Sequence, residues 1–278
     1  MNFKIVVDSG CDLPDELREK SNIEQVPLSI YIGDQEYTDE PGLDTKKLVK
    51  DMKASKKAPR TASPSPHAFM EKYQGEEENV FVVTLSSQLS STYNNAEMAK
   101  NMVQDAGEKF IHIFDSLSAS IGETLISMKI FELAKENYDK LQVVEKVNEY
   151  IDEMKTFFLL ESLDNLIKAG RMNKVKGKLA SMLNIKPVMG ASDKGTIKLV
   201  EKVRGSKRAF RKLVEVIGKK GENLEDKVLG IAHCNCLEKA EKFKEEVLKR
   251  YNFKDIVIVE MQGIATVYAN QDGLVIAF

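Results

Sequence analysis

At 278 residues and 42% hydrophobic content the chain is long enough for two domains with buried cores, which excludes a disordered segment or a disulfide-stapled miniprotein. A formal net charge of -2 excludes a polyelectrolyte, and Cys11, Cys234 and Cys236 make an odd count with no disulfide framework. No apolar run approaches the roughly 18 residues of a membrane span, and Met1-Asn2-Phe3-Lys4 leads straight into an apolar strand without a leader-like stretch, so a cytoplasmic location is expected.

From Met1 to about Asn137 short apolar runs alternate with helical patterns, the rhythm of βα units and a mainly parallel sheet. Three of those runs end in hydroxyl-rich turns. Phe3–Val7 meets Asp8-Ser9-Gly10-Cys11-Asp12, Val80–Thr84 meets Ser86-Ser87-Gln88-Leu89-Ser90-Ser91-Thr92-Tyr93, and Phe110–Phe114 meets Asp115-Ser116. In a parallel sheet such turns gather at the carboxyl ends of the strands, where open sheets bind ligands. A fourth cluster, Thr61-Ala62-Ser63-Pro64-Ser65-Pro66, adds hydroxyls from a proline-stiffened loop. The pattern predicts helices over 92–103 and 118–137. Capping of the first by Ser90 to Thr92 would favour an anion such as a carboxylate.

A second unit is expected from Thr156–Leu160, an apolar strand followed by a helical stretch over 161–170. Strands over 186–190 and 196–203 joined at Asp193-Lys194-Gly195, a helix over 206–220, a strand over 228–233, a helix over 237–251 and strands over 256–261 and 273–278 complete it. The expected division is therefore 1–156 and 157–278. Charge is uneven along this half: sixteen Lys and Arg between Lys168 and Lys220 face only Asp193, Glu201 and Glu215. That segment would suit a phosphorylated ligand, a membrane surface, an acidic protein or nucleic acid, unless it is simply a solvated helical face. The absence of aromatic interleaving argues against nucleic acid.

Several chemistries find little support. A serine nucleophile at Ser87 or Ser90 lacks the G-x-S-x-G elbow, and His67, His112 and His233 are the available bases, with His112 placed in an apolar strand as a packed histidine. His233-Cys234-Asn235-Cys236 groups potential ligands, but strand side chains alternate in direction and no second ligand pair stands at zinc spacing, so burial is the expected role. Asp8, Asp12 and Asp115 could share a metal, yet Asp8 reads better as a turn or cap former. Neither G-x-G-x-x-G nor a Walker loop occurs, and Ala169-Gly170-Arg171 is too short to cradle a triphosphate. The hydroxyls are suited to hold a small polar head group, without metal or cofactor.

Together the turns resemble the DegV family of bacterial fatty-acid-binding proteins. The matching stretches are Asp8-Ser9 with Asp12-Leu13-Pro14, Thr61 to Pro66 against T-S-x-P-S-P, and Ser86 to Tyr93 against S-S-x-L-S-G-T-Y. Asp115-Ser116 with Ser120 and Gly122, Leu166 to Arg171, Lys186-Pro187 and Lys202 to Gly205 follow in order along the whole chain. The resemblance implies two α/β domains, an N-terminal mainly parallel Rossmann-like α/β/α domain and a C-terminal domain with a mixed sheet. One long-chain fatty acid would lie between them with its acyl chain in an apolar tunnel. It further implies a carrier that is not itself an enzyme, presenting the carboxylate to a separate ATP-binding kinase subunit for acyl-phosphate formation. By position, Thr61 and Ser90 are the implied carboxylate donors, with Ser87, Ser91, Ser65 and Ser116 close by, and Arg171 and Arg204 face a partner or a phosphate. Many members carry G-A-H-x-G-P-G where this chain has Thr266 to Asp272, so Tyr268 stands at the histidine's place. Tyrosine can donate a hydrogen bond but is no histidine-like proton carrier at neutral pH. An enzyme with a serine or aspartate nucleophile acting on an acyl or phosphoryl substrate is the alternative.

Overall fold

Strand alternation decides how the N-terminal sheet is sandwiched. A computed structural model describes residues 2–20, 22–104, 109–172 and 185–278. Strands β1 (Phe3–Asp8), β2 (Ile23–Val26), β6 (Asn79–Thr84) and β7 (Phe110–Asp115) form a wholly parallel sheet in the order β2-β1-β6-β7. Val6, Val80, Val82, Ile111 and Ile113 point to one face, against Phe69 and Tyr73 of α3 (Pro66–Tyr73) and Ala96 and Ala99 of α4 (Thr92–Gln104). Ile5, Val7, Phe81, Val83 and Phe114 point to the other, against α5 (Ile121–Lys135) and α6 (Lys140–Glu153). Near-continuous apolar strands are the expected signature of a parallel sheet covered on both faces.

Not expected was a three-stranded antiparallel sheet, β4-β3-β5, built from β3 (Ser29–Ile32), β4 (Gln35–Thr38) and β5 (Arg60–Ala62). Its strands are short and largely polar on the outer side, so the βα rhythm masks them. The two-residue link Gly33-Asp34 makes the hairpin possible, because Gly33 adopts φ 63. Between β4 and β5 lies α2 (Thr45–Ala54), whose N-cap Asp44 accepts from the Lys47 amide.

The other large sheet is six-stranded and mixed, in the order β10-β9-β8-β13-β11-β12. Its members are β8 (Thr156–Leu159), β9 (Val188–Ala191), β10 (Ile197–Glu201), β11 (Val228–His233), β12 (Asp255–Glu260) and β13 (Leu274–Ala277). Only the β11–β12 pair is parallel. Phe157, Leu159, Leu229 and Ile231 face α8 (Ser206–Lys220) and α9 (Leu237–Leu248), which supply Leu213, Ile217, Phe243 and Val247. The opposite face packs on α5 through Ile121 and Leu125. Helix α5 thus lies between the two large sheets, and ten of its fifteen residues are buried, as expected of a helix packed on two sides. Further helices are α1 (Asp15–Lys20), α7 (Asp164–Lys168) and α10 (Gly263–Ala269), the last packed on Leu28, Ile30 and Leu48.

Expected and observed boundaries differ where the backbone departs from helix geometry. Leu117 at φ 50 and Ser120 at φ 60 delay α5 from 118 to Ile121, and Asn137 at φ 62 follows its end. Gly170 at φ 77 follows α7, which is shorter than the expected 161–170. The expected strand over 196–203 is observed as Ile197–Glu201, with a register shift against β9 between Leu199 and Glu201.

Candidate functional site

The site begins with hydroxyl turns locked together by the carboxylates of Asp8, Asp12, Asp39 and Asp115, the first three of them buried. Asp8 accepts hydrogen bonds from the amides of Gly10 and Leu85, both at 2.7 Å, so it ties the first turn to the second. Asp115 accepts from the amides of Ser87 and Leu117, both at 3.1 Å, tying the second turn to the third. Both therefore act as turn formers. Asp12 accepts from the Ser120 hydroxyl and, at 2.7 Å, from the Gln262 amide. Asp39 accepts from the amides of Gly263 at 2.8 Å and Ile264 at 2.9 Å, which docks the start of α10. Burial pushes Asp8 and Asp12 up to about 7 and Asp39 up to about 6, even though these amide donors work in the opposite direction. Glu123 is pushed well above the usual carboxylate range by burial and by its neighbours Asp8 and Asp12, and its carboxyl oxygens have no hydrogen-bond partner among the described residues.

Above these turns lies a cavity between the first sheet's loops and the six-stranded sheet. Its apolar wall includes Leu85 and Leu117 from one side and Phe158, Leu160, Ile197 and Val275 from the other. At one end the hydroxyls converge. Thr61 Oγ1 stands 2.7 Å from Tyr268 Oη, Ser63 Oγ 3.0 Å from Ser90 Oγ, and Ser90 Oγ 2.8 Å from Thr92 Oγ1. Strand β5 positions Thr61 by pairing it with Ile30, and α10 delivers Tyr268. Ser90 Oγ also accepts from the Thr92 amide at 3.3 Å, so it sits at the amino end of α4. Arg171 reaches the same rim, its Nε donating to Leu89 O at 3.1 Å.

Thr61, Ser90, Arg171 and Tyr268 therefore share the cavity wall, whereas the other candidates do not reach it. Ser65 is drawn away as the N-cap of α3, accepting from the Ala68 amide at 3.2 Å. Ser91 is exposed and bonds Ser63 at 2.8 Å. Ser87 is held by its own amide on Asp115, and Ser116 is fully buried, accepting from the Ser118 amide at 3.1 Å. Arg204 is exposed, its backbone bridged to Ile185. Ser63, which couples Ser90 to Ser91, lies within the quoted loop but was not singled out from sequence. Neither was α10, whose short apolar run has no readable period.

Ionisable side chains on the cavity wall are Arg171 and Tyr268, with no carboxylate, cysteine or histidine among the described residues that line it. His112 is held away from it, half-buried between the rings of Phe110 and Phe114, and burial pushes it down to about 4. His233 and Cys234 are buried, and among the described residues no cluster of His, Cys, Asp and Glu could hold a metal ion. Of the basic segment, Lys174, Lys176 and Lys178 lie outside the described residues. Lys186 and Lys212 are paired with Glu161 and Glu215, while Lys207, Arg208 and Arg211 are exposed on α8. No described helix is long and apolar enough to cross a membrane.

The model of a family described as an uncharacterised DegV family protein matches residues 2–278. A DegV domain-containing protein of Streptococcus pyogenes serotype M1 is 36% identical over 281 residues, covering 100% of this chain and 99% of the relative. Among solved structures, a DegV family protein from Ruminococcus gnavus refined with vaccenic acid is 40% identical with a TM-score of 0.96, covering 100% of this chain and 99% of its own. The Fatty Acid Kinase (Fak) B3 protein of Streptococcus pneumoniae, loaded with linoleic acid, is 31% identical with a TM-score of 0.91 and the same coverage. A DegV family protein from Eubacterium eligens loaded with heptadecanoic acid is 27% identical with a TM-score of 0.90, covering 99% of this chain and 98% of its own.

Proposed function

The chain belongs to the DegV family, and we propose that it is a carrier that encloses one long-chain fatty acid, its carboxylate at Thr61, Ser90 and Tyr268 and its acyl chain along the apolar wall. The observation that carries this reading is a largely apolar cavity on whose wall the Thr61 and Tyr268 hydroxyls meet, with Ser90 and Arg171 also lining it. Each buried methylene contributes roughly 0.8 kcal/mol, so a long chain gives tight binding with few polar contacts. The head group needs only donors, and Thr61, Ser90 and Tyr268 supply them in place of the family histidine.

The carrier performs no chemistry of its own on this reading. A serine nucleophile would need a base, and the cavity wall carries no carboxylate or imidazole among the described residues. Phosphorylation of the carboxylate falls to a separate ATP-binding kinase subunit, with exposed Arg171 and Arg204 facing that partner or the developing phosphate. The two domains divide near residue 156, and the protein works in the cytoplasm, touching a membrane surface only transiently and binding no nucleic acid.

The test is native mass spectrometry of the purified protein, with lipid extraction, on the wild type and on Thr61→Ala with Ser90→Ala. A stoichiometric fatty acid in the wild type and its loss from the folded double variant are expected. Unchanged lipid occupancy in that variant would remove these hydroxyls from the site, and a wild type that refuses added fatty acid would overturn the carrier reading.

A further inference from the structure

Elsewhere on the cavity wall there is a second polar feature that a plain acyl chain does not need. The side chains of Thr156, Phe158 and Leu160 all line the cavity, so β8 and its continuation run along it with every second residue facing the ligand space. Leu160 stands at the hydroxyl end: a Cβ on Gly273 would meet both Ala269, next to Tyr268, and the Leu160 side chain. Thr156 is four residues earlier, about 13 Å away along an extended strand. There its Oγ1 lies 2.7 Å from Ser118 Oγ.

This pair is built into the wall. Ser118 is 3% exposed and Thr156 7% exposed, in the neighbourhood of Phe158. Its position depends on Gly122 in the first turn of α5, where a Cβ would fall 2.2 Å from Ser118 Oγ. Two hydroxyls bring two hydrogens. One serves the bond between them, and the other has, among the described residues, only Ala119 O, at 3.5 Å from Ser118 Oγ, beyond the usual O–H···O range. A buried hydrogen without an acceptor is unfavourable, and valine would serve the strand as well as Thr156 if packing were the only requirement.

We propose that the cavity accepts fatty acids carrying a hydroxyl near the middle of the chain, held by Ser118 and Thr156, so that hydroxylated long-chain acids are a preferred ligand class. The inference rests on the carrier reading above. With the carboxylate at Thr61 and Ser90, a mid-chain hydroxyl comes level with the pair, accepts its spare hydrogen and donates to one of its oxygens. A saturated or unsaturated chain offers neither.

Oleate and ricinoleate, which differ by a mid-chain hydroxyl, provide the comparison in competition binding to the delipidated full chain. Ricinoleate is expected to bind at least as tightly as oleate, because the wall compensates the cost of burying its hydroxyl. In Ser118→Ala with Thr156→Val the ratio is expected to move at least about tenfold toward oleate. Ser118→Ala alone is expected to move it the same way by less, and it carries the test if the double variant does not fold. A wild type that binds oleate more tightly than ricinoleate, or a ratio unchanged in the variants, overturns the inference and leaves the carrier reading intact. A wild type that binds neither acid overturns the carrier reading and the inference with it.

Discussion

Thr61 and Tyr268, 207 positions apart in the chain, meet in one 2.7 Å hydrogen bond at the cavity's polar end. The bond orients both hydroxyls, since each can turn until a partner fixes it. Tyr268→Phe keeps the ring and removes the hydroxyl, so oleate affinity should fall by about threefold to tenfold, the effect of one neutral hydrogen bond of roughly 0.5–1.5 kcal/mol. An unchanged dissociation constant in a fluorescent fatty-acid displacement assay would show that the tyrosine takes no part. Ser87 and Ser90 illustrate the limit of reading residues from a motif. Both stand in one hydroxyl-rich turn, yet the Ser87 amide is held by Asp115 and only Ser90 lines the cavity.

At the scale of elements, α5 and α10 decide the site. Helix α5 gives Ile126 and Ile130 to the parallel sheet and Ile121 and Leu125 to the six-stranded sheet, so its packing holds the two sheets in register across the cavity. Ile121 is fully buried, and Gly230 makes room for it: a Cβ there would stand 2.3 Å from Ile121 Cγ1. Ile121→Ala should cost about 2–5 kcal/mol in chemical denaturation, through lost burial and the cavity left behind. A loss below about 1 kcal/mol would mean that the sheets do not depend on this contact. Helix α10 is fixed at its start by Asp39 and packs its Ile264 and Val267 against Leu28 and Ile30, which is what carries Tyr268 to Thr61.

For the whole molecule, the buried carboxylates set a pH dependence. Asp8 and Asp12 are raised to about 7 and Asp39 to about 6, against an unfolded value of 3.8, so the folded chain holds more protons than the unfolded one between those limits. Their contribution is present at low pH and lost as pH rises through the folded values. His112 runs the other way, lowered to about 4 from 6.5, and its contribution is lost only as pH falls below 6.5. Above about pH 6.5 the carboxylates act alone among these groups, and the raised Glu123 adds in the same direction. The urea midpoint should therefore fall between pH 6.5 and 8.5, and less steeply in Asp8→Asn. A midpoint that rises over that range would contradict the raised values.

Much of the architecture was legible because it depends on local pattern. The helix over 206–220 and the strand over 228–233 carry their periods in full and appear with the expected bounds. The clustering of hydroxyl turns at strand ends follows from the parallel order of β1, β6 and β7, itself readable from apolar runs alternating with helices. Tertiary structure alone decided the rest. Leu117 and Ser120 take positive φ values where the loop follows contacts far away in sequence, among them the Ser120 amide on Gly10 O, and so α5 begins late. The antiparallel sheet over 29–62 and the short α10 have too few residues to establish a period, and long-range pairing and docking hold them. Which hydroxyls face the cavity is settled by the carboxylates, caps and neighbouring hydroxyls that hold the others, a competition among partners brought together only when the chain has folded.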